Sequence, residues 1–238
     1  MKRVLPAEWL RRNQRGLRRL VALAYVGNRY ACNLCKFRMA RFVELDNGDR
    51  LCPRCGSLPR TRRLYQLLDE FLDRPQLRVL HFSPPPPLAE RLRSRLGDNY
   101  VTTDFAGEFS ADRALDITRM EVADAAFDLI ICYHVLEHIV ADRQAMTELH
   151  RVLAPGGHCL VQTPFRSGAT YEDDSIVSEE DRLRHFGQRD HVRVYAAAGL
   201  ADRLEGAGFA VEVRAFREER ENSLGLKGEE VVLVVKCI

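Results

Sequence analysis

The chain has 238 residues, 46% of them hydrophobic, with 36 Lys/Arg against 34 Asp/Glu. This is enough to bury one full core plus a small module. No apolar run reaches the roughly 18–20 residues of a membrane span, and the start MKRVLPAEWLRRNQRG lacks the apolar centre of a secretory signal. A cytoplasmic chain with no membrane partner is therefore expected. Charge is placed unevenly: residues 1–63 carry 16 Lys/Arg against 4 Asp/Glu, and residues 64–238 carry 20 against 30. Such a split predicts two modules, the first able to meet an anionic partner such as RNA.

Residues 1–30 form the basic N-terminal part. Within it, Trp9, Leu10, Leu17, Leu20, Val21 and Leu23 predict an amphipathic helix over residues 6–26, its apolar stripe packed on the neighbouring domain. Residues 31–58 contain Cys32-Asn-Leu-Cys35 and Cys52-Pro-Arg-Cys55, with sixteen residues between the pairs. This spacing predicts a zinc ribbon. Four thiolates close a tetrahedron and leave no position open, so the Zn2+ would be structural. The intervening FRMARFVELDNGDRL alternates like strands around an Asn47-Gly48 turn, which predicts a hairpin. Cys132, Cys159 and Cys237 fall in apolar strands as small core residues. A helix over Leu58–Leu72 begins the linking segment 59–76.

Leu77–Phe82 predicts the first strand of a larger domain spanning 77–238. It runs into Ser83 and then Pro84–Pro87, four residues without an N–H, opening a helix over Leu88–Leu96. Tyr100–Phe105 predicts a second strand and Ala114–Thr118 a third. Phe127–Cys132 is a continuous apolar run, as in a strand buried on both faces. Val140–Leu153 carries a helical apolar stripe, Pro155-Gly156-Gly157 turns the chain, and His158–Thr163 is a further apolar strand. Strand, helix and strand together make a right-handed parallel crossover. Residues 164–195 are long and polar for a connection, which predicts a lid or substrate loop. Val194–Gly206 predicts a helix, and Phe209–Phe216 with Glu230–Cys237 a closing antiparallel hairpin.

The run FDLIICYHVLEHI followed by HRVLAPGGHCLVQTP resembles the middle of a class I S-adenosylmethionine-dependent methyltransferase. With the cysteine ribbon included, nearly the whole chain is similar to a set of bacterial methyltransferase-like proteins. The resemblance implies an α/β fold: a doubly wound, mostly parallel, seven-stranded sheet, Rossmann-like, behind a small N-terminal zinc-ribbon module. It implies S-adenosylmethionine as cofactor. Where the family has a glycine-rich loop, this chain has His81-Phe82-Ser83 and the prolines, so His81 and Ser83 are left as hydrogen-bonding groups. The matched positions imply that Asp104, with Phe105 beside it, accepts from the ribose hydroxyls. They also imply that Asp116 and Ile117 hold the adenine and that His81, Phe82, Ser83 and Tyr133 complete the cofactor-binding set.

A methyltransferase aligns its acceptor with the methyl carbon. Where the acceptor must lose a proton, His185 and His191 are the candidate bases, because imidazole titrates near neutral pH. Asp190 would orient a histidine and Arg193 would bind an anionic acceptor. The acceptor expected is a small molecule or biosynthetic intermediate. Two alternatives stand beside this: an RNA methyltransferase using the basic module, and a non-enzymatic zinc protein with a degenerate pocket.

Overall fold

The computed structural model describes residues 16–217 and 220–238. The chain forms two compact units that interleave along the sequence. One holds the described residues of Met1–Asp73 with Pro85–Arg91 and Arg217–Glu230; the other holds Arg74–Pro84, Leu92–Phe216 and Val231–Ile238.

In the first unit, residues 16–22 are helical. Much of the helix expected over 6–26, including Trp9 and Leu10, lies outside the described residues. In the described part Leu20 is 68%, Val21 53% and Leu23 68% exposed, while Leu17 is half-buried and Ala22 buried. Strand β1 (Val26–Ala31) pairs antiparallel with β2 (Arg38–Met39), and β3 (Val43–Glu44) with β4 (Arg50–Leu51). The turn between β3 and β4 uses Gly48 at φ 79°, and the Asp49 N–H donates to Asn47 Oδ1 at 3.0 Å. Helix α1 (Pro59–Leu68) opens on proline, whose missing N–H costs nothing in a first turn, and buries Leu64, Leu67 and Leu68.

Arg62 is the tie of this unit. Fully buried, it donates to the carbonyls of Arg50, Ser57, Leu224 and Gly225, and its guanidinium lies 4.3 Å from the centre of the Phe42 ring. Gly225 has φ 61°, and a Cβ there would stand 2.2 Å from Phe42, so only glycine fits.

The second unit is built on one sheet. Strands β5 (Val79–Phe82), β6 (Tyr100–Thr103), β7 (Phe127–Tyr133) and β8 (Leu153–Gln162) run parallel in the order β6-β5-β7-β8. The segment after β8 adds a second, small sheet, in which β11 (Arg193–Ala196) lies between β10 (Tyr171–Glu172) and β9 (Phe165–Arg166). The main sheet then closes with β12 (Phe209–Phe216) at the edge and β13 (Glu230–Cys237), antiparallel to β8. Leu80, Ile130, Cys132, Cys159, Val161 and Val235 from these strands join Met146, Leu149, Leu200 and Leu204 from the helices in one apolar core. Helix α2 (Pro86–Leu96) opens on the last two prolines of the run, and α3 (Asp142–Val152) turns Ala145, Met146, Leu149 and Val152 inward, as its stripe requires. No helix of the described residues is long and apolar enough to cross a membrane.

Three elements depart from expectation. The third strand, Ala114–Thr118, does not form. Asp116 Oδ1 takes the Thr118 N–H at 2.8 Å and its hydroxyl at 2.7 Å, which folds the backbone into a local turn, and only Arg113 bridges to Thr103. The main sheet therefore has six strands among the described residues rather than seven. The helix expected over Val194–Gly206 is α5 (Ala197–Gly206), because residues 193–196 pair as β11. Residues 164–195 are not structureless: besides the small sheet they hold α4 (Glu179–Phe186), capped by Ser178 and stopped by Gly187 at φ 86°.

Candidate functional site

A cavity of about 390 Å³ lies at the carboxyl ends of β5, β6 and β7. Open parallel sheets bind ligands there, because the strands end together and the loops beyond them diverge. Phe82, Ser83, Asp104, Phe105, Asp116 and Ile117 line it, so six of the eight cofactor positions named from the sequence meet in one place. Phe105 is 70% exposed although aromatic, which leaves its face to the cavity. Two strand-end residues at the rim hold left-handed backbone: Ser83 at φ 43° after β5 and His134 at φ 55° after β7. Non-glycine residues rarely stay there unless the surroundings enforce it. Here the Ser83 N–H donates to Thr103 O at 2.7 Å and the His134 N–H to Gln162 O at 2.8 Å.

Asp104 is buried, its carboxylate held by Ser83 Oγ at 2.7 Å and the Phe109 N–H at 3.0 Å. Each oxygen so engaged keeps a lone pair for another donor. Asp116 is exposed at the cavity, and the hydroxyl and N–H of Thr118 hold its carboxyl below the usual carboxylate range.

The remaining two positions do not reach the cavity. His81 is fully buried within the sheet with Nδ1 2.7 Å from Tyr100 Oη. Burial pushes its pKa down to about 3, so it is a neutral core histidine. Tyr133 is buried at the end of β7, outside the lining.

The four residues named for chemistry separate. His185 is exposed on α4, with Nδ1 2.8 Å from Tyr171 Oη, and does not border the cavity. Arg193 is buried and fully engaged: it donates to Glu172 Oε2 at 2.8 Å, to Val140 O at 2.9 Å and to Ile139 O. These partners, with the Leu136 carbonyl, hold Arg193 outside the cavity lining. Asp190 does line the cavity, and its Oδ2 lies 3.0 Å from His138 Nδ1. His191 is buried behind it, its ring 4.7 Å from that of His138 and set edge-on at 83°. Burial, then the neighbouring His138, lowers its pKa.

His134, Glu137 and His138 were not named as site residues. Their signal in the sequence is a His-x-x-Glu-His run directly after a buried strand. His134 and His138 line the cavity, and Glu137, 1% exposed, sits just behind.

In the other unit the four cysteine sulfurs converge. Cys32 Sγ lies 3.7 Å from Cys55 Sγ, Cys35 Sγ lies 3.7 Å from Cys52 Sγ, and all four fall within 4.8 Å of one another. A tetrahedron with metal–sulfur bonds of about 2.3 Å has edges of about 3.8 Å, so the cluster is already shaped to hold one ion. None of the four is in a disulfide.

Comparison with known proteins bears on the family and the fold. The family model described as "Methyltransferase domain" matches residues 60–213. A probable S-adenosylmethionine-dependent methyltransferase of Mycolicibacterium smegmatis is 35% identical over 97 residues, which cover 41% of this chain and 34% of that protein. The match thus spans about a third of the curated relative. Among solved structures, a SAM-dependent methyltransferase from Archaeoglobus fulgidus superposes with a TM-score of 0.52 at 15% identity, over 74% of this chain and 91% of that one. One from Mesorhizobium loti gives 0.50 at 16% identity, over 72% and 96%. At such identities the superpositions speak for the fold. By its family match and its sheet, the chain belongs to the methyltransferase-domain family and has the class I S-adenosylmethionine-dependent methyltransferase fold.

Proposed function

We propose that the cavity binds S-adenosylmethionine and that the chain transfers its methyl group to a small-molecule acceptor. The observation that carries this reading is the meeting of Asp104, Phe105, Asp116 and Ile117 at the carboxyl ends of the parallel strands. When bound, the cofactor supplies an electrophilic methyl on a sulfonium. Asp104 would accept from vicinal hydroxyls, and Asp116 from an exocyclic amine. Phe105 and Ile117 offer the apolar walls for a flat ring. At the far rim, His134 can position an acceptor heteroatom. The chain's contribution is then alignment inside a pre-shaped cavity. In the N-terminal unit we assign Zn2+ to Cys32, Cys35, Cys52 and Cys55 as a structural ion.

Calorimetric titration of the full chain with S-adenosylhomocysteine tests the cofactor reading. Binding at about one per chain is expected, and Asp104→Ala should weaken it by about 1–3 kcal/mol, since the hydroxyls lose their acceptor. Absence of binding to the wild-type chain would favour a zinc protein without catalysis. An RNA acceptor draws support from a depression lined by Arg18, Arg19 and Arg54 beside Cys35 and Cys55. Tight RNA binding that falls steeply with salt would favour it over the small-molecule reading.

A further inference from the structure

One carboxylate and two imidazoles gather beside the cavity. Ligand atoms of Glu137, His138 and His191 all lie within 4.8 Å of one another. Glu137 comes from the turn after β7, and His191 from the segment before β11. The Val192 N–H donates to Glu137 O at 2.9 Å and Arg193 donates to the carbonyls of Ile139 and Val140, which bolts the two segments together.

The hydrogen bonding inside this cluster is incomplete in a particular way. Glu137 is 1% exposed; Oε1 lies 3.2 Å from His134 Nδ1, while Oε2 is buried with no partner among the described residues. His191 is 2% exposed. Its Nδ1 lies 3.3 Å from Phe186 O, and a carbonyl only accepts, so the ring proton belongs on Nδ1. Nε2 is then an acceptor, and it too is buried without a partner among the described residues. Two buried lone pairs without a donor are unfavourable unless something positive comes between them. The ring of His138 is meanwhile oriented by a carboxylate, Asp190 Oδ2 at 3.0 Å, and that of His191 by a carbonyl. Carboxylate and carbonyl partners of this kind fix the ring and tautomer of metal-bound histidines.

We propose that Glu137, His138 and His191 bind one divalent first-row transition-metal cation, with Asp190 orienting His138. Two imidazoles and one carboxylate suit Mn2+, Fe2+, Co2+ or Zn2+, and three protein ligands leave coordination positions open. His138 and Asp190 line the cavity, so the cation sits at its wall. The site stands on these contacts and does not depend on which acceptor the cavity takes.

The test uses the full chain, dialysed against a weak chelator so that only tightly held ions remain. Mn2+ and, separately, Co2+ are titrated, with bound metal read by the loss of free Mn2+ spin-resonance signal and by Co2+ visible absorption. Mn2+ prefers nitrogen and oxygen ligands to thiolates, so it reports this cluster and not the cysteines. About one Mn2+ per chain is expected, with affinity reduced at least tenfold in Glu137→Gln and in His138→Ala. Circular dichroism and the urea midpoint establish that each variant is folded. Should Glu137→Gln fail to fold, His138→Ala decides, because that side chain is 29% exposed. A wild-type chain that binds neither Mn2+ nor Co2+, or a folded His138→Ala variant with unchanged affinity for both, overturns the proposal. The readout is metal binding, so it can fail while S-adenosylhomocysteine still binds.

Discussion

Arg193 shows how far a residue's place changes its meaning. Its donors end on Glu172 and on the carbonyls of Ile139 and Val140 in the turn after β7. Arg193→Met keeps the length of the stem but leaves those acceptors and Glu172 without their donor. Arg193 is 6% exposed but Glu172 39%, so the cost comes chiefly from the lost hydrogen bonds of the buried guanidinium, about 1–3 kcal/mol, and the urea midpoint should fall. An unchanged midpoint with lost turnover would return Arg193 to the role of acceptor ligand. His81 makes the same point at the other extreme. Fully buried against Tyr100, with its pKa pushed down to about 3, it serves the sheet and has no charge to offer a ligand.

At the scale of elements, the cysteine ribbon and the small sheet carry the clearest expectations. The ribbon strands β2, β3 and β4 have two residues each, too few to hold their shape by pairing alone. The ion that the four sulfurs are spaced for should supply the missing stability. Metal analysis of chain purified without chelator should find about one Zn2+ at the cysteines. Cys52→Ser should lose it and destabilise the first unit; a Cys52→Ser variant that retains its zinc would exclude the four-cysteine site.

The small sheet is tied to α3 by charge. Arg203 donates to Glu172 Oε1 and to Asp142 Oδ2, both at 2.5 Å, and Arg193 shares Glu172. Arg203 first, then Arg193, draw the Glu172 carboxyl down from its ordinary value to about 2. A depressed carboxylate pKa adds stability that is complete above the ordinary value and is lost as pH falls toward about 2. Urea midpoints should therefore decline between about pH 5 and pH 2 more steeply for wild type than for Glu172→Gln. Equal slopes would mean that the pair contributes nothing measurable, which screening permits for a partly exposed side chain.

At the scale of the whole molecule, the two units are not cut from the chain end to end. Residues 217–230 belong with the N-terminal unit, where Ala31 N–H donates to Ser223 O at 2.9 Å and Arg62 reaches the carbonyls of Leu224 and Gly225. A fragment of residues 77–238, the domain a linear reading isolates, keeps this segment but removes its partners. Buried Leu226 would be uncovered and the segment's carbonyls left without Arg62. The fragment should thus unfold at lower urea than the full chain, or aggregate. A midpoint equal to that of the full chain would show that residues 217–230 hold their fold without the ribbon.

What the sequence determined by itself was short-range. The paired cysteines, the β7–α3–β8 crossover and the aspartates at strand ends are all written within a few residues of one another. Spacing and periodicity are local, so they survive without coordinates. The family resemblance rested on the same local runs, and the matched positions Asp104 and Asp116 do reach one cavity. Tertiary structure decided what depends on burial and on chain segments far apart in sequence. Whether Ala114–Thr118 became a strand turned on Asp116 capturing Thr118 instead of leaving the backbone to a neighbour. Whether a histidine met a ligand turned on direction: His81 points into the sheet, His185 into solvent beside Tyr171, and His138 into the cavity. The meeting of Glu137 with His191 required the chain to return after a long excursion and be fastened by Arg193, a contact that no periodicity encodes.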